Sequence, residues 1–400
     1  MNIALVRSAL CLVCVFSGLG HANAQGLPVQ SQATKPVATP TGRPEPVLIA
    51  FVYRDGVTDS PWTQSHELAR KVVDAEFGAR VHTIAVERVA TAADADRVFR
   101  DLAARGYKVV FATDPIHSDA AARMAAADYD IKIEQAMGTQ ELINMRAYSI
   151  RHVEQAYLAG IIAAGNSATA KLGFIAANST AASLAEVNAF TLGAQSVNKR
   201  VTTELVWTGS PSSAVAVASA AEILIRHGAD VLVATTESAA AAVVAQRRQK
   251  RIVGWHMDQS ALTPRAHVAT LALDWAPFYK TAIRESFDYM CTKADTSRGY
   301  REGAIKVVGL SKSISNSAKV RLAHVQSELV RGTFQGLAEP VVTGASVRAS
   351  AATNAEKVFG DEVRRNSTSP LVRGVTLVTV PQPTVPTVAH ADRQIGRAHV

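Results

Sequence analysis

Short strand-like runs alternate with helical patterns from Pro46 onward, and this alternation constrains the fold more than any other feature of the sequence. Residues 47–53, VLIAFVY, predict a buried strand, and the helical pattern that follows them ends at Gly78. Further strand and helix patterns follow in turn as far as Ala136. Strands that alternate with helices form a parallel sheet with helices on both faces. The sequence therefore predicts an α/β fold.

The pattern restarts with a long helix at 151–167, and a second strand–helix series of similar length follows it. Two similar halves, with trailing segments that cross between them, predict a two-lobed hinge protein. Ligands of open parallel sheets bind beyond the carboxyl ends of the strands, so the cleft between the lobes is the predicted site. The expected lobe bounds are 47–148 plus 274–300 for lobe one and 149–273 plus 301–380 for lobe two.

The N-terminal residues predict an export signal. Met1 to Arg7 form a short basic start, an apolar core follows, and HANAQ supplies the small-x-small pattern for cleavage after Ala24. The apolar core is too short to span a bilayer. We therefore expect residues 1–24 to be a signal peptide and the mature protein to be soluble in the periplasm. Residues 25–46 are rich in proline and predict an extended linker.

The C-terminal residues 381–400 are interpreted as a tail without functional weight. Residues 395–400, IGRAHV, can be back-translated into the start of a common sequencing-library adapter. Our hypothesis is that these six residues are an assembly artefact. Resequencing the locus tests it, because a genomic stop codon directly after these codons would contradict it.

Charge and motif content exclude several classes of function. The excess of 42 Lys and Arg over 34 Asp and Glu is modest and scattered, so no nucleic-acid-binding surface is expected. No GxSxG, Walker, GxGxxG or HExxH motif is present, and His66, His117 and His256 do not have the spacing of metal ligands. No later apolar run is long enough to span a membrane. We expect no catalytic residues, no cofactor, no metal and no direct membrane span, and a monomer.

Trp62 follows the first predicted strand, where the chain turns into a helix. An aromatic face at the carboxyl edge of a strand is a stacking platform for a planar ligand, with stacking on the order of 1–3 kcal/mol per base. Thr63, Gln64 and Ser65 add donors and acceptors beside it. Alternatively, Trp62 packs against the start of its own helix as a hydrophobic staple. The residues alone leave both interpretations open.

From about Pro46 to Pro340 the chain resembles the basic membrane protein (BMP) family of solute-binding proteins for ABC importers. The matching stretches are WTQSHELAR, YLAGIIAAG, KLGFIAA, NAFTLGAQSVN, GADVLVATTES, VGWHMDQSALTPRAH and DWAPFYK. The resemblance implies the two-lobed type I periplasmic-binding-protein fold, a purine nucleoside or nucleobase as the ligand, and an ABC permease as the partner.

Carried over to this sequence, the resemblance implies that Trp62 stacks on the purine and that Thr63 hydrogen-bonds the base. Asp119 matches an aspartate at the mouth of lobe one. Glu237 and Ser238 match a polar pair at a strand end of lobe two. On the residues alone, Asp119 can equally be an N-cap, and Glu237 a solvated acid in the first turn of a helix.

His256 lies where nucleoside-binding members carry a ribose-binding Asp, and Asp274 where they often carry a Lys. These replacements imply a base without its ribose, and a carboxylate at Asp274 can accept the exocyclic amine of adenine. The chain is therefore similar to the adenine-binding branch. For His256, a satisfied histidine behind the pocket is the alternative.

The chain departs from that branch at Pro115 and Ile116, which replace an aromatic residue and a glycine. It also lacks the proline and arginine usual in the segment NSTAASLAEVN. A different small ligand, a sensor role or a pocket that binds nothing tightly therefore stay open, and a periplasmic purine nucleosidase-like enzyme is the alternative of another class.

Overall fold

The computed structural model describes residues 45–287, 296–337 and 371–378. The predicted signal peptide, nearly all of the linker and the C-terminal tail lie outside these residues. Thirteen strands and nine α-helices are assigned within them. The strands are β1 Val47–Val52, β2 Val81–Val86, β3 Val109–Ala112, β4 Lys132–Ala136, β5 Met145–Ile150, β6 Lys171–Ala176, β7 Thr202–Trp207, β8 Val231–Ala234, β9 Arg251–His256, β10 His267–Leu273, β11 Ser297–Arg298, β12 Ile305–Val308 and β13 Val375–Leu377.

The helices surround two separate sheets. They are α1 Pro61–Phe77, α2 Ala92–Ala104, α3 Ser118–Ala127, α4 His152–Asn166, α5 Ala181–Gln195, α6 Ala214–Arg226, α7 Ala240–Arg247, α8 Ala276–Phe287 and α9 Asn316–Arg331. Short 3-10 helices span Gly78–Arg80 and Pro115–His117. The predicted end of α8, near Met290, lies outside the described residues.

The first sheet has the strand order β11-β5-β4-β3-β1-β2, and every pairing in it is parallel. The second has the order β12-β10-β9-β8-β6-β7-β13 and is parallel except for β12, which runs antiparallel to β10. The chain builds one sheet through β5, the other through β10, and then contributes β11 to the first sheet. This architecture confirms the predicted two-lobed α/β fold with helix-flanked parallel sheets.

Helix α1 begins as its sequence predicts. Ser60 caps it by accepting a hydrogen bond from the Thr63 amide at 3.3 Å, and Pro61 occupies the first turn, where no backbone donor is needed. Gly78 ends it with a φ of 54°, a conformation that favours glycine. The cap therefore fixes Trp62 in the first turn, beside the carboxyl end of β1.

Helices α4 and α5 of the second lobe pack backbone against backbone. A Cβ atom on Gly160 would lie 1.9 Å from the Phe190 carbonyl oxygen, and one on Gly193 would lie 2.1 Å from the Tyr157 carbonyl oxygen. Only glycine permits this approach, because the atoms opposite are main-chain atoms. The contact joins the middle of α4 to the C-terminal half of α5 and holds the two helices in a fixed relation.

Candidate functional site

Trp62 lies at the centre of an aromatic cluster between the two sheets. Its side chain is 7% exposed, and its Nε1 donates a hydrogen bond to the Thr113 carbonyl oxygen at 2.8 Å, which fixes the ring against the end of β3. The ring meets His66 edge-on at 4.8 Å and Trp275 at 5.3 Å between centroids. The indole also contacts the imidazole of His256, the last residue of β9, at 5.2 Å between ring centroids. Residues of both lobes thus enclose the indole.

The first-lobe side of this cluster is held by a chain of hydrogen bonds. Trp275 Nε1 donates to Ser65 Oγ at 2.9 Å, and Ser65 Oγ donates to the Trp62 carbonyl oxygen at 2.7 Å. His66 stacks on Trp275 at 4.5 Å and hydrogen-bonds the Tyr279 hydroxyl through Nδ1. Burial lowers the pKa of His66 well below its ordinary value, so its imidazole is neutral at neutral pH.

His256 contributes two unused hydrogen-bonding atoms to the cluster. The side chain is 6% exposed, and neither ring nitrogen has a partner among the described residues. Its φ of 63° lies in the left-handed region, which a residue with a Cβ adopts only at a cost of about 1–3 kcal/mol. Burial lowers its pKa strongly, and the nearby imidazoles of His152 and His66 add to that effect. A strained, unpartnered polar group in a cleft is typical of a ligand site.

His152 completes the second-lobe side of the cluster at the start of α4. Its ring lies 6.3 Å from Trp62 and 5.9 Å from His256 between centroids. Nδ1 pairs with Gln155 Oε1 at 2.9 Å, and burial lowers the pKa of the imidazole. Three neutral imidazoles therefore surround Trp62 at neutral pH.

An ion pair beside the cluster joins the two lobes. Arg54, two residues after the end of β1, pairs with Asp55 at 2.6 Å and with Asp114, two residues after the end of β3, at 3.4 Å. Its guanidinium also pairs with Glu237 of the second lobe. The sequence assigned Glu237 but missed Arg54, because a charged residue in a loop after a strand is ordinary until its partners are known.

The other predicted residues of this region have mixed surroundings. Thr63 is 1% exposed, and its Oγ1 has no partner among the described residues. Ser238 Oγ accepts a hydrogen bond at 3.2 Å from the amide of Ala240, the first residue of α7. Thr63 thus adds a free hydroxyl next to Trp62. The Ser238 hydroxyl instead accepts a hydrogen bond from the start of α7.

Asp119 and Asp274 are engaged in contacts of their own. Asp119 is exposed in the first turn of α3 and accepts a hydrogen bond from Gln140 Nε2 at 3.3 Å. Asp274 accepts from the Ala276 amide at 3.0 Å through Oδ1 and pairs with Lys306 at 2.5 Å through Oδ2. Each oxygen of Asp274 thus already accepts one hydrogen bond from the protein.

Sequence reasoning also missed Glu186. This acid lies on α5, and its carboxyl is hydrogen-bonded to the side chain of Thr235, directly after β8. Burial raises its pKa to about 7, and the bond to Thr235 opposes part of that rise. Beside it, Thr236 Oγ1 is buried without a partner among the described residues. Glu186 lies inside a helical pattern that gave no signal of a site, within the segment that departs from the family.

No group of three or more His, Cys, Asp or Glu side chains suited to a metal ion occurs in residues 45–287, 296–337 and 371–378. Over those same ranges, none of the helices is both long and apolar enough to cross a membrane.

Two helix-flanked parallel sheets that enclose polar and aromatic groups between their carboxyl edges define a two-lobed solute-binding protein. The chain belongs to the family of PnrA-like ABC transporter substrate-binding proteins, whose family model matches residues 47–332. This confirms the predicted BMP-family membership. Members are solute-binding proteins rather than enzymes, act outside the cytoplasm, and deliver a small molecule to a membrane permease.

Individual relatives differ in their stated ligands. A purine-binding protein of Brucella abortus (strain 2308) is 29% identical over 297 residues, which cover 74% of this chain and 85% of that protein. A candidate ABC transporter glucose-binding protein of Haloferax volcanii is 27% identical over 293 residues, covering 72% of this chain and 73% of that protein. The solved structure of an ABC transporter solute-binding protein from Conexibacter woesei DSM 14684 has a TM-score of 0.63, 18% identity, and coverage of 72% of this chain and 97% of its own.

Proposed function

We propose that this protein binds a purine nucleobase, with adenine preferred over the other purines, and delivers it to an ABC permease from the periplasm as a monomer. The observation that carries the proposal is the meeting of Trp62 and His256 across the cleft. The indole offers an aromatic surface to a planar ring, and the imidazole offers a buried donor and acceptor without a partner.

The charges of the cleft favour a ligand without negative charge. Arg54 is surrounded by the carboxylates of Asp55, Asp114 and Glu237, so its positive charge is already compensated. The imidazoles of the cluster are neutral because burial lowers their pKa values. A phosphate would enter this cleft without a free cation to meet it, so nucleotides are disfavoured relative to free bases.

Thr63 and Glu237 are the remaining residues that we assign to the ligand. Thr63 Oγ1 is free and adjacent in sequence to Trp62. Glu237 faces the cleft from the second lobe and reaches the ligand if it exchanges part of its pairing with Arg54. Asp119, Ser238 and Asp274 are assigned the weaker role of positioning the loops at the cleft, since each has a protein partner.

A thermal-shift panel tests the proposal on protein that has been unfolded and refolded to remove carried-over ligand. A ligand that binds only the native state stabilises it by about 2.7 kcal/mol at a hundredfold excess over Kd. We expect adenine to raise the midpoint more than guanine, hypoxanthine, adenosine or glucose. A rise with glucose alone would support the ligand named for the Haloferax relative and contradict the purine proposal.

A further inference from the structure

Glu186 is a partly buried acid without a cation. Its carboxyl is hydrogen-bonded to the side chain of Thr235, and within the described ranges it forms no ion pair. Acids in such surroundings favour the protonated form, because an isolated buried carboxylate is costly. Asp274, the acid that the family resemblance assigned to the amine of adenine, already accepts a hydrogen bond from the protein at each of its oxygens. Glu186 is therefore the better-placed acid to meet a ligand.

The topology places Glu186 on the same cleft edge as the aromatic cluster. Its partner Thr235 follows β8, and β8 pairs in parallel with β9, with Val233 opposite Val253. Three residues beyond Val253, β9 ends in His256, whose ring meets Trp62. Neighbouring strands lie about 4.8 Å apart. Thr235 and His256 therefore lie at the carboxyl ends of adjacent strands, on the same edge of the second sheet. Glu186 thus lies beside the surface on which a planar base would stack.

A neutral carboxyl group presents a donor and an acceptor side by side, whereas a carboxylate only accepts. Adenine carries the complementary pair, an amine donor next to a ring-nitrogen acceptor. We propose that Glu186 in its neutral form binds this amine-bearing edge, accepting a hydrogen bond from the exocyclic amine and donating its own proton to the adjacent ring nitrogen. This assignment rests on the proposed nucleobase-binding function. It makes Glu186 the residue that forms hydrogen bonds with the edge of the base.

Titratable and charged groups also lie on the elements next to Glu186. On the neighbouring elements these are Glu237 after β8, His256 of β9 and His152 of α4, with Arg54 opposite Glu237. Burial lowers the pKa of both histidines, so they remain neutral while Glu186 ionises near its own pKa of about 7. Glu237 and Arg54 form an ion pair with each other.

The affinity for adenine therefore depends on pH in one direction. Binding requires the proton, so the affinity is constant below about pH 7 and falls by about tenfold per pH unit above it, until the pKa of the complex is reached. Isothermal titration of adenine into the full chain from about pH 5.5 to about pH 9 measures this profile.

Substitutions of Glu186 distinguish binding by the neutral carboxyl group from binding by the carboxylate. Glu186→Gln keeps one donor and one acceptor, so we expect adenine affinity within about threefold of the wild-type value at low pH and no fall above pH 7. Glu186→Ala should lose at least about tenfold at low pH, because the base edge is left unpaired. Glu141→Gln, a matched change at an exposed acid, should keep the wild-type profile.

Three results would overturn the assignment. An affinity for adenine that does not change with pH shows that no proton of Glu186 is used. An affinity that rises above pH 7, or a Glu186→Gln variant as weak as Glu186→Ala, shows that a carboxylate is the binding form. Absence of adenine binding at every pH removes the proposed nucleobase function itself, and so differs from failure of the assignment alone.

Discussion

Arg54, two residues after the end of β1, forms an ion pair with Glu237, three residues after the end of β8, and so links the first lobe to the second across the cleft. Both side chains are mostly shielded from solvent, at 18% and 17% exposure. Arg54 is also the cation between Asp55 and Asp114. One guanidinium among three carboxylates therefore lies at the contact between the lobes.

Replacement of this guanidinium should favour separation of the lobes. In Arg54→Met, the carboxylates of Asp114 and Glu237 face each other without a cation, and we expect a loss of about 1–3 kcal/mol in unfolding free energy. Small-angle scattering should show a larger radius of gyration for ligand-free Arg54→Met than for wild-type protein. Arg97→Met, which removes an exposed ion pair with Asp94, is the matched control and should change neither quantity measurably.

A double-mutant cycle isolates the pair itself. Arg54→Ala, Glu237→Ala and the double variant should give a coupling energy of about 1 kcal/mol or more, because partly buried pairs are screened less than exposed ones. Additive losses in the cycle would show that Arg54 and Glu237 do not stabilise the closed lobes through each other.

Gly160→Ala should destabilise the second lobe. The new Cβ would lie 1.9 Å from the Phe190 carbonyl oxygen, and that main-chain atom moves only if α5 moves away from α4. We expect a loss of about 2–3 kcal/mol in unfolding free energy by denaturant titration. Gly165→Ala, later in the same helix, is the comparison, since its Cβ would meet side-chain atoms of Ala318 at 2.4 Å and Ile314 at 2.7 Å rather than main-chain atoms. An equal loss in both variants would contradict the special role of the α4–α5 contact.

The ionisation of Glu186 should also be visible in the stability of the ligand-free protein. Its pKa rises from an ordinary 4.5 to about 7 on folding, so the native state holds the proton more tightly than the unfolded state. The stabilisation is complete below about pH 4.5 and is lost as the pH rises to about 7, by up to about 3 kcal/mol. Glu186→Gln should remove this fall, and unfolding titrations at several pH values measure it. A variant that keeps the wild-type slope would contradict the pKa given for Glu186.

The histidine cluster has the opposite dependence. Burial lowers the folded-state pKa of His256, so the unfolded state binds its proton more readily and the native state loses stability as the pH falls below about 6.5. His256→Asn keeps a residue that tolerates the left-handed backbone and removes one titrating group. We expect this variant to lose less stability between about pH 6.5 and about pH 5 than the wild-type protein. An unchanged acid dependence would show that His256 does not titrate in that range.

The sequence predicted most elements because their signals are local. The apolar run of β1, the Ser60 cap and Gly78 each act within a few residues of the chain. Strand β5 escaped prediction, since it alternates polar and apolar residues and buries Arg146 through an ion pair with Glu134 at 2.7 Å, so it has no apolar run. Strand β13 was missed because its pairing with β7 joins residues far apart in the sequence.

The candidate site was predictable only where a residue type was unusual at a strand end. Trp62 and His256 had such a signal, and the structure brings their rings together. Arg54 and Glu186 did not, because a charged residue in a loop or a helix is ordinary until its partners are known. Those partners come from the other lobe or from another strand, and only the folded chain supplies them.

The measurement that tests the central claim most directly is calorimetric titration of adenine into refolded wild-type protein, Trp62→Ala and Trp62→Phe. We predict one adenine per wild-type chain, a loss of at least about tenfold in affinity for Trp62→Ala from lost stacking, and a smaller loss for Trp62→Phe, which keeps an aromatic face. Tyr129→Ala, at an exposed aromatic residue, should bind as the wild-type protein does. If cooperatively folded wild-type protein gives no heat with adenine, or if Trp62→Ala binds it equally well, the account of a nucleobase stacked on Trp62 is contradicted.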